Sequence, residues 1–308
     1  KSASARTRLA HGGRKIQCGG GRAVNPPVVR ASTILFEDVD KLLEMHSRRV
    51  DSSFVSYGRN GTETTFSLEQ AFAELEGGDG LAAITVALLS QIKQGDHLLI
   101  SDSVYFPTRK LCDGMLQRFG VETTYYDPGV GSGIADLIRP NTRVIFLESP
   151  GSITFEIQDV PAITAVARAR GITTIIDNTW ATPLFFQPLA HGVDISVHAG
   201  TKYVVGHSDA MLGLIVAKEE HHEALRLQAQ ELGYGIGPDD AWLGLRGLRT
   251  LGVRLDQHQR NALEVAQWLT ERPEVARVLH PGLPDHPGHA IWKRDFQGAS
   301  GLFGVELR

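Results

Sequence analysis

Cysteine is scarce: Cys18 and Cys112 are the only two in 308 residues, too few for a disulfide framework and not arranged in any metal-ligand spacing. A reducing compartment is the expectation. No charge of one sign dominates either. Thirty-one Lys and Arg stand against 35 Asp and Glu, for a formal net charge of -4, so no strong positive field exists to hold a nucleic-acid backbone or an anionic membrane. Long hydrophobic runs are missing as well. The longest uncharged apolar stretch, Leu81 to Ile92, ends at Lys93 and falls short of the roughly 18 to 20 residues needed to span a bilayer. Neither nucleic acid nor membrane is expected as a partner, and no internal repeat or low-complexity segment is evident.

The amino-terminal stretch KSASARTRLAHGGRK is basic, has no acidic residue before Glu37 and lacks an apolar core for secretion. Its composition suits a basic arm lying on a partner subunit in the cytoplasm, or the remainder of a transit segment with an organellar matrix as the destination.

What is present is enough apolar material, 42%, for one large domain or two ordinary ones. Apolar helical stretches alternate with short strand-like runs from Ile84 onward, the pattern of an α/β fold with a mainly parallel sheet. Buried strands are predicted at His97–Ser101, Val121–Tyr125, Val144–Leu147, Thr173–Ile176, Ile195–Val197 and Leu212–Val216. Helices are predicted at Thr108–Phe119 and Pro161–Ala169, with Asp159 as a cap ahead of the second. Beyond Gly237-Pro238 the pattern changes to longer helices, Asp239–Leu251 and Leu255–Thr270, then to a Pro- and Gly-rich stretch from Pro281 to Gly288. A domain change is therefore placed near Gly247 to Gly252. The division is an arm over residues 1–55, a large domain over 56–247 and the start of a smaller domain over 248–308.

Such sheets bind ligands at the carboxyl ends of their strands. There the sequence places polar pairs directly after apolar runs: Glu148-Ser149, Asp177-Asn178 and Thr201-Lys202. An aspartate ending a buried strand and a lysine one strand later are the two groups that pyridoxal phosphate chemistry asks of a protein. Lys202 would form the Schiff base with the cofactor aldehyde. Asp177 would keep the pyridine nitrogen protonated, so that the ring accepts the electron pair left when a substrate Cα proton departs. Taken singly, each residue has a plainer reading, Asp177 as a turn cap and Lys202 as a solvated surface lysine. Twelve histidines, among them His198, His207, His221 and His222, show no H-E-x-x-H or comparable ligand spacing, so no metal is expected. Gly19 to Gly21 lack the G-x-G-x-x-G spacing of a dinucleotide-binding turn.

The words around these residues are more specific. YGRNGTETT (Tyr57 to Thr65), SVYFPT (Ser103 to Thr108), FLESPGSITFE (Phe146 to Glu156), DNTWATPLFF (Asp177 to Phe186) and TKYVVGHSD (Thr201 to Asp209) occur in that order. In them the chain resembles the Cys/Met-metabolism family of pyridoxal-phosphate enzymes, over nearly its whole length. The resemblance implies the aspartate-aminotransferase-like, type I fold, with a large domain on a mainly parallel sheet and a smaller carboxyl-terminal domain. It implies that Lys202 binds the cofactor and, once its amine is freed, removes the Cα proton. Asp177 would pair with the pyridinium nitrogen, Tyr105 would stack on the ring, and Thr201 would donate to the phosphate. Tyr57 and Arg59 would reach the phosphate of a neighbouring subunit, making a homo-oligomer, a tetramer of two dimers. Tyr57 and Lys202 are the candidate acids for the leaving sulfur.

The phosphate cradle of the family falls on Gly80 and Leu81, at the start of a helix reading LAAI. The chain departs from the family there, since only Asp79-Gly80 lies between the EGG word (Glu76 to Gly78) and that helix, and Asp79 stands where a serine is usual. The family also carries an arginine for the substrate carboxylate, and no residue of this sequence is expected in that role. The ESPGS word (Glu148 to Ser152), with DNTWA, RGLRTLGVRL (Arg246 to Leu255), VARVLHPGLP (Val275 to Pro284) and WKRDFQGASGLF (Trp292 to Phe303), points to the carbon-sulfur β-lyase branch. The implied substrate is a thioether amino acid, L-cystathionine, cleaved to homocysteine, pyruvate and ammonia. The alternatives are a γ-lyase or γ-synthase of the same family, or a scaffold that keeps the fold without the chemistry.

Overall fold

Strands buried on both faces read as continuous apolar runs rather than as alternation, and in the computed structural model four such runs form parallel strands beside a fifth, Glu122–Tyr126, which the sequence places among the buried strands but which lies at the sheet edge and is only partly covered. The structure describes residues 4–13, 17–18, 21–22, 24–48, 54–76, 79–80 and 84–308. The chain divides into two compact units, residues 1–86 with 198–252 and residues 87–197 with 253–308.

In the second unit the strands lie in the order Ile195–His198, Thr173–Asp177, Thr142–Glu148, His97–Ser101, Glu122–Tyr126, each parallel to its neighbour. His97–Ser101 is buried throughout. Glu122–Tyr126, at the edge, is buried only at Tyr126, whose hydroxyl donates to the Phe146 carbonyl at 3.0 Å. The helix Val160–Ala169 begins as expected, with Asp159 accepting from the Ala162 N–H at 3.2 Å. Arg294 adds a bond from its Nη2 to the same carboxylate at 2.8 Å, which pulls the Asp159 pKa down. The expected helix Thr108–Phe119 differs: an α-helical segment Phe106–Leu111 continues as a π-helical turn, Cys112–Leu116.

The first unit contains the helices Glu63–Glu76 and Glu219–Glu231 and the antiparallel strands Asp79–Gly80 and Leu214–Ala217. Its amino-terminal segment is tied down within the unit. The Val29 N–H donates to Thr64 Oγ1 at 2.8 Å, Trp242 Nε1–H donates to the Pro26 carbonyl at 3.1 Å, and Arg30 forms a two-pronged pair with Asp239. In place of two helices broken before Leu255, the chain forms one 33-residue helix, Pro238–Thr270, running unbroken through Gly252. Leu248, Leu251 and Leu255 are all buried, and their spacing keeps one apolar stripe continuous across the glycine.

In the second unit the end of that helix packs through Ala266 and Leu269 on Val275, Val278, Leu283 and Phe303. The strands Val275–Leu279 and Gly304–Leu307 pair antiparallel beside them. Two buried histidines repeat one device in the Pro- and Gly-rich stretch. Nδ1 of His280 accepts the Gly282 N–H at 2.9 Å, and Nδ1 of His286 accepts the Gly288 N–H at 3.0 Å. Each ring is thereby fixed as the neutral tautomer protonated on Nε2. Burial lowers both pKa values, that of His280 to about 4. Because the unfolded chain binds the extra proton more readily, His280 stabilises the fold fully above pH 6.5, and this contribution is lost as the pH falls from 6.5 to about 4. The loss is at most about 3 kcal/mol. A melting series from pH 7 to pH 4 should show a smaller decline for His280→Gln, whose amide oxygen can still accept from Gly282. An identical decline in both proteins would remove His280 as its source.

Candidate active site

At the carboxyl edge of the second unit's parallel strands, Glu148 and Asp177 are register partners. Glu148 is buried and both its oxygens are engaged: Oε2 accepts the Tyr105 N–H at 2.8 Å and Oε1 accepts the Ser152 hydroxyl at 2.6 Å. Tyr105 caps the helix Phe106–Leu111. Its backbone N–H is held by this carboxylate while the residue as a whole is 43% exposed. Gly151 permits the return of the ESPGS segment, since a Cβ there would lie 2.2 Å from Ser103 Oγ.

Asp177 ends a strand buried nearly from end to end and is itself 9% exposed. Its Oδ1 accepts the Thr179 N–H at 2.9 Å. Its Oδ2 has no hydrogen-bond partner among the described residues. Three positions on, Trp180 donates from Nε1 to the Leu302 carbonyl at 2.8 Å and sets its ring edge-on to Phe296. This anchors the segment that leaves Asp177.

In the first unit, Lys202 sits on a tightly hydrogen-bonded turn. Its N–H donates to the Ala199 carbonyl and its carbonyl accepts the Gly206 N–H at 2.7 Å. Thr201 closes the turn on Leu212: its N–H and hydroxyl both donate to the Leu212 carbonyl, and the hydroxyl accepts the Leu212 N–H at 2.9 Å. The Thr201 hydroxyl expected at a phosphate is thus engaged by backbone. Gly247 lets the long helix approach this turn, because a Cβ there would meet the Val204 carbonyl oxygen at 2.1 Å.

Tyr57 and Arg59 occupy the start of the first unit's YGR loop, with Tyr57 42% exposed and capping the turn Gly58–Asn60. Arg59 lines a small cavity with Leu68, Glu69, Arg226 and Tyr234. At its wall the buried Arg226 donates from Nη2 to Glu69 at 2.5 Å. Gly80 pairs with Val216 in the strand Asp79–Gly80, and the next helix begins at Ile84. Leu81 lies outside the described residues.

The structure therefore brings Tyr105 and Asp177 to one edge of the second unit, and places Tyr57, Arg59, Gly80, Thr201 and Lys202 in the first. Sequence reasoning noted Glu148 as a polar strand end and as the start of the ESPGS word, without assigning it a partner. Its hold on Tyr105 spans 43 positions and leaves no local signature. The donor set fits pyridoxal phosphate. A nearly buried carboxylate with one oxygen open suits a ring N–H, an exposed aromatic ring on a fixed backbone suits a planar ligand, and a lysine amine suits an aldehyde.

The family model for Cys/Met metabolism PLP-dependent enzymes matches residues 6–308. The chain is 46% identical over 311 residues to the cystathionine beta-lyase MetC of Escherichia coli, covering 98% of this chain and 78% of that one. It is 46% identical over 310 residues to the cystathionine beta-lyase of Haemophilus influenzae, covering 98% and 78%. Among solved structures, a cystathionine gamma synthase from Xanthomonas oryzae pv. oryzae superposes with a TM-score of 0.91 at 31% identity, covering 100% of this chain and 79% of that one. A match of this extent, on a mostly parallel α/β sheet whose polar edge carries Asp177, makes the chain a member of the Cys/Met metabolism PLP-dependent enzyme family.

Proposed function

We propose that the protein is a carbon-sulfur β-lyase that cleaves L-cystathionine to homocysteine, pyruvate and ammonia. The observation that carries this reading is the 46% identity to the Escherichia coli cystathionine beta-lyase across nearly the whole chain. It is supported by the ESPGS segment, whose Glu148 accepts from both the Ser152 hydroxyl and the Tyr105 N–H.

Bound pyridoxal phosphate supplies the electron sink for the pair of electrons left at Cα. The residues of the chain do the rest. Asp177 would accept a hydrogen bond from the protonated ring nitrogen on its open Oδ2, which would keep the ring electron-poor, and the exposed Tyr105 would hold the ring by stacking. The Lys202 amine takes the Cα proton. Lys202 or Tyr57 then returns a proton to the leaving sulfur, which makes the departing group a thiol rather than a thiolate. Arg59 offers paired donors in a plane to a neighbour's phosphate. Thr201 keeps the Lys202 turn closed through Leu212, and its hydroxyl would donate to the phosphate in place of the Leu212 carbonyl. Gly80 and Leu81 are assigned to the phosphate cradle.

The same reading makes the enzyme a homo-oligomer, a tetramer of two dimers. Leu35, Val39 and Leu43 are 91%, 67% and 60% exposed on the amino-terminal segment, an apolar face suited to another subunit. A cytoplasmic setting accompanies it, in keeping with the free, buried thiol of Cys112, whose pKa burial pushes up to about 12. The deciding test supplies purified protein with pyridoxal phosphate and L-cystathionine and identifies the keto acid. Pyruvate with homocysteine is expected. 2-Oxobutyrate with cysteine would move the cleavage to the γ carbon, and no keto acid would overturn the lyase reading.

A further inference from the structure

The helix Glu63–Glu76 ends on a buried acid, the wrong sign for a helix carboxyl terminus, and such a group persists in a core only when paired. Its partner is His198. Nε2 of His198 lies 2.8 Å from Glu76 Oε2, and the two side chains are 2% and 0% exposed. The Phe72 ring meets the imidazole edge-on at 4.9 Å between centroids, so the histidine is held in both position and tilt.

The place of this pair in the chain gives it meaning. His198 is four residues before Lys202, at the point where the strand Ile195–His198 becomes the lysine turn. Its carbonyl accepts the Gly200 N–H at 3.0 Å, the Gly200 carbonyl accepts the Val205 N–H at 2.9 Å, and the Lys202 carbonyl accepts the Gly206 N–H. The turn is thus one hydrogen-bonded unit with two anchors, Thr201 on Leu212 at its middle and His198 on Glu76 at its root. Glu76 in turn stands immediately before Gly77 and Gly78, which lead to the strand Asp79–Gly80.

We infer that the buried Glu76–His198 pair is a positioning device for Lys202, which fixes the root of the lysine turn against the end of the helix that leads to Gly80. Neither residue touches the reacting atoms. Their effect passes through the backbone of residues 198–202, and the inference rests on Lys202 being the cofactor lysine.

The test uses the full chain with Glu76→Ala and the near-isosteric Glu76→Gln, whose amide can still bond the imidazole. Loss of a buried polar partner should weaken pyridoxal phosphate binding about tenfold in Glu76→Ala. It should also displace the visible absorbance band of the bound cofactor and its pH titration, and Glu76→Gln should restore these to within about threefold. Amide hydrogen exchange of the cofactor-free proteins gives a readout that needs no cofactor. The amides of Gly200 and Val205 should lose protection in Glu76→Ala and regain it in Glu76→Gln. Should Glu76→Ala fail to fold, Glu76→Asp, which keeps the charge but withdraws it by one methylene, is measured in the same way. A folded variant with unchanged exchange in the lysine turn overturns the inference. So does a lowered melting temperature with unaltered cofactor affinity and band. A wild-type chain that binds no pyridoxal phosphate would instead defeat the lyase reading, leaving the exchange data to judge the anchor.

Discussion

Lys202→Ala is expected to remove the visible band formed with pyridoxal phosphate and to lower β-elimination of cystathionine by about 10⁴-fold or more, since in the proposed reading one group serves as both cofactor ligand and Cα base. The fold should survive the change. Lys202 contributes to its turn through main-chain bonds, donating to Ala199 and accepting from Gly206, and an alanine makes both. The neighbouring anchors, Thr201 on Leu212 and His198 on Glu76, do not involve the lysine side chain. Lys202 is itself exposed, so the melting temperature of the cofactor-free protein should change little, as for surface substitutions worth about 0.5 kcal/mol or less. Adding a small primary amine to the variant should return part of the activity, because proton removal from Cα needs a base rather than this particular tether. Full activity in Lys202→Ala would assign the proton transfer to another residue, with Tyr57 the first to test.

The main lines of the fold and the residues of the candidate site stand out in the sequence for different reasons. Buried parallel strands announce themselves as apolar runs, so HLLIS, VIFL, TTII and ISV located four of the five to within two residues, and the edge strand expected at Val121–Tyr125 lies one residue further on. The expected strand Leu212–Val216 begins instead at Leu214, because both backbone groups of Leu212 are taken by Thr201. The π-helical turn at Cys112–Leu116 left no mark, since Cys112 and Leu116 are buried at a spacing that an α-helix also satisfies. Gly252 read as a break, but the packing of Leu251 and Leu255 outweighs the small helix penalty of one glycine. Asp177 and Lys202 stood out as polar residues following apolar runs. Glu76 could not, because its partner lies 122 positions away and only the fold brings them together.

Asp177→Asn is expected to lower kcat by about 10² to 10³-fold, the effect of withdrawing one charge from a nearly buried pair. The geometry makes this a clean substitution. The Asn carbonyl oxygen can take the place of Oδ1 and still accept from Thr179, so the turn after the strand is kept. What changes is the open position. Where the carboxylate presents Oδ2 to a ring N–H, the amide presents an NH₂, and two donors then face each other unless the ring gives up its proton. Either outcome costs the reaction its electron sink while leaving the lysine and its turn untouched. The absorbance band should therefore persist in Asp177→Asn, shifted and with weaker cofactor affinity, whereas it vanishes in Lys202→Ala. Glu148→Gln supplies the contrast on the adjoining strand, because Glu148 is in register with Asp177 but spends both oxygens on Tyr105 and Ser152. The Gln amide can still accept from the Tyr105 N–H, so its loss of activity should be at least tenfold smaller than that of Asp177→Asn, given a net worth of about 1 to 3 kcal/mol for such hydrogen bonds. Equal losses in the two variants would mean that negative charge along this strand edge, rather than a bond from Asp177 to the ring nitrogen, sustains the chemistry.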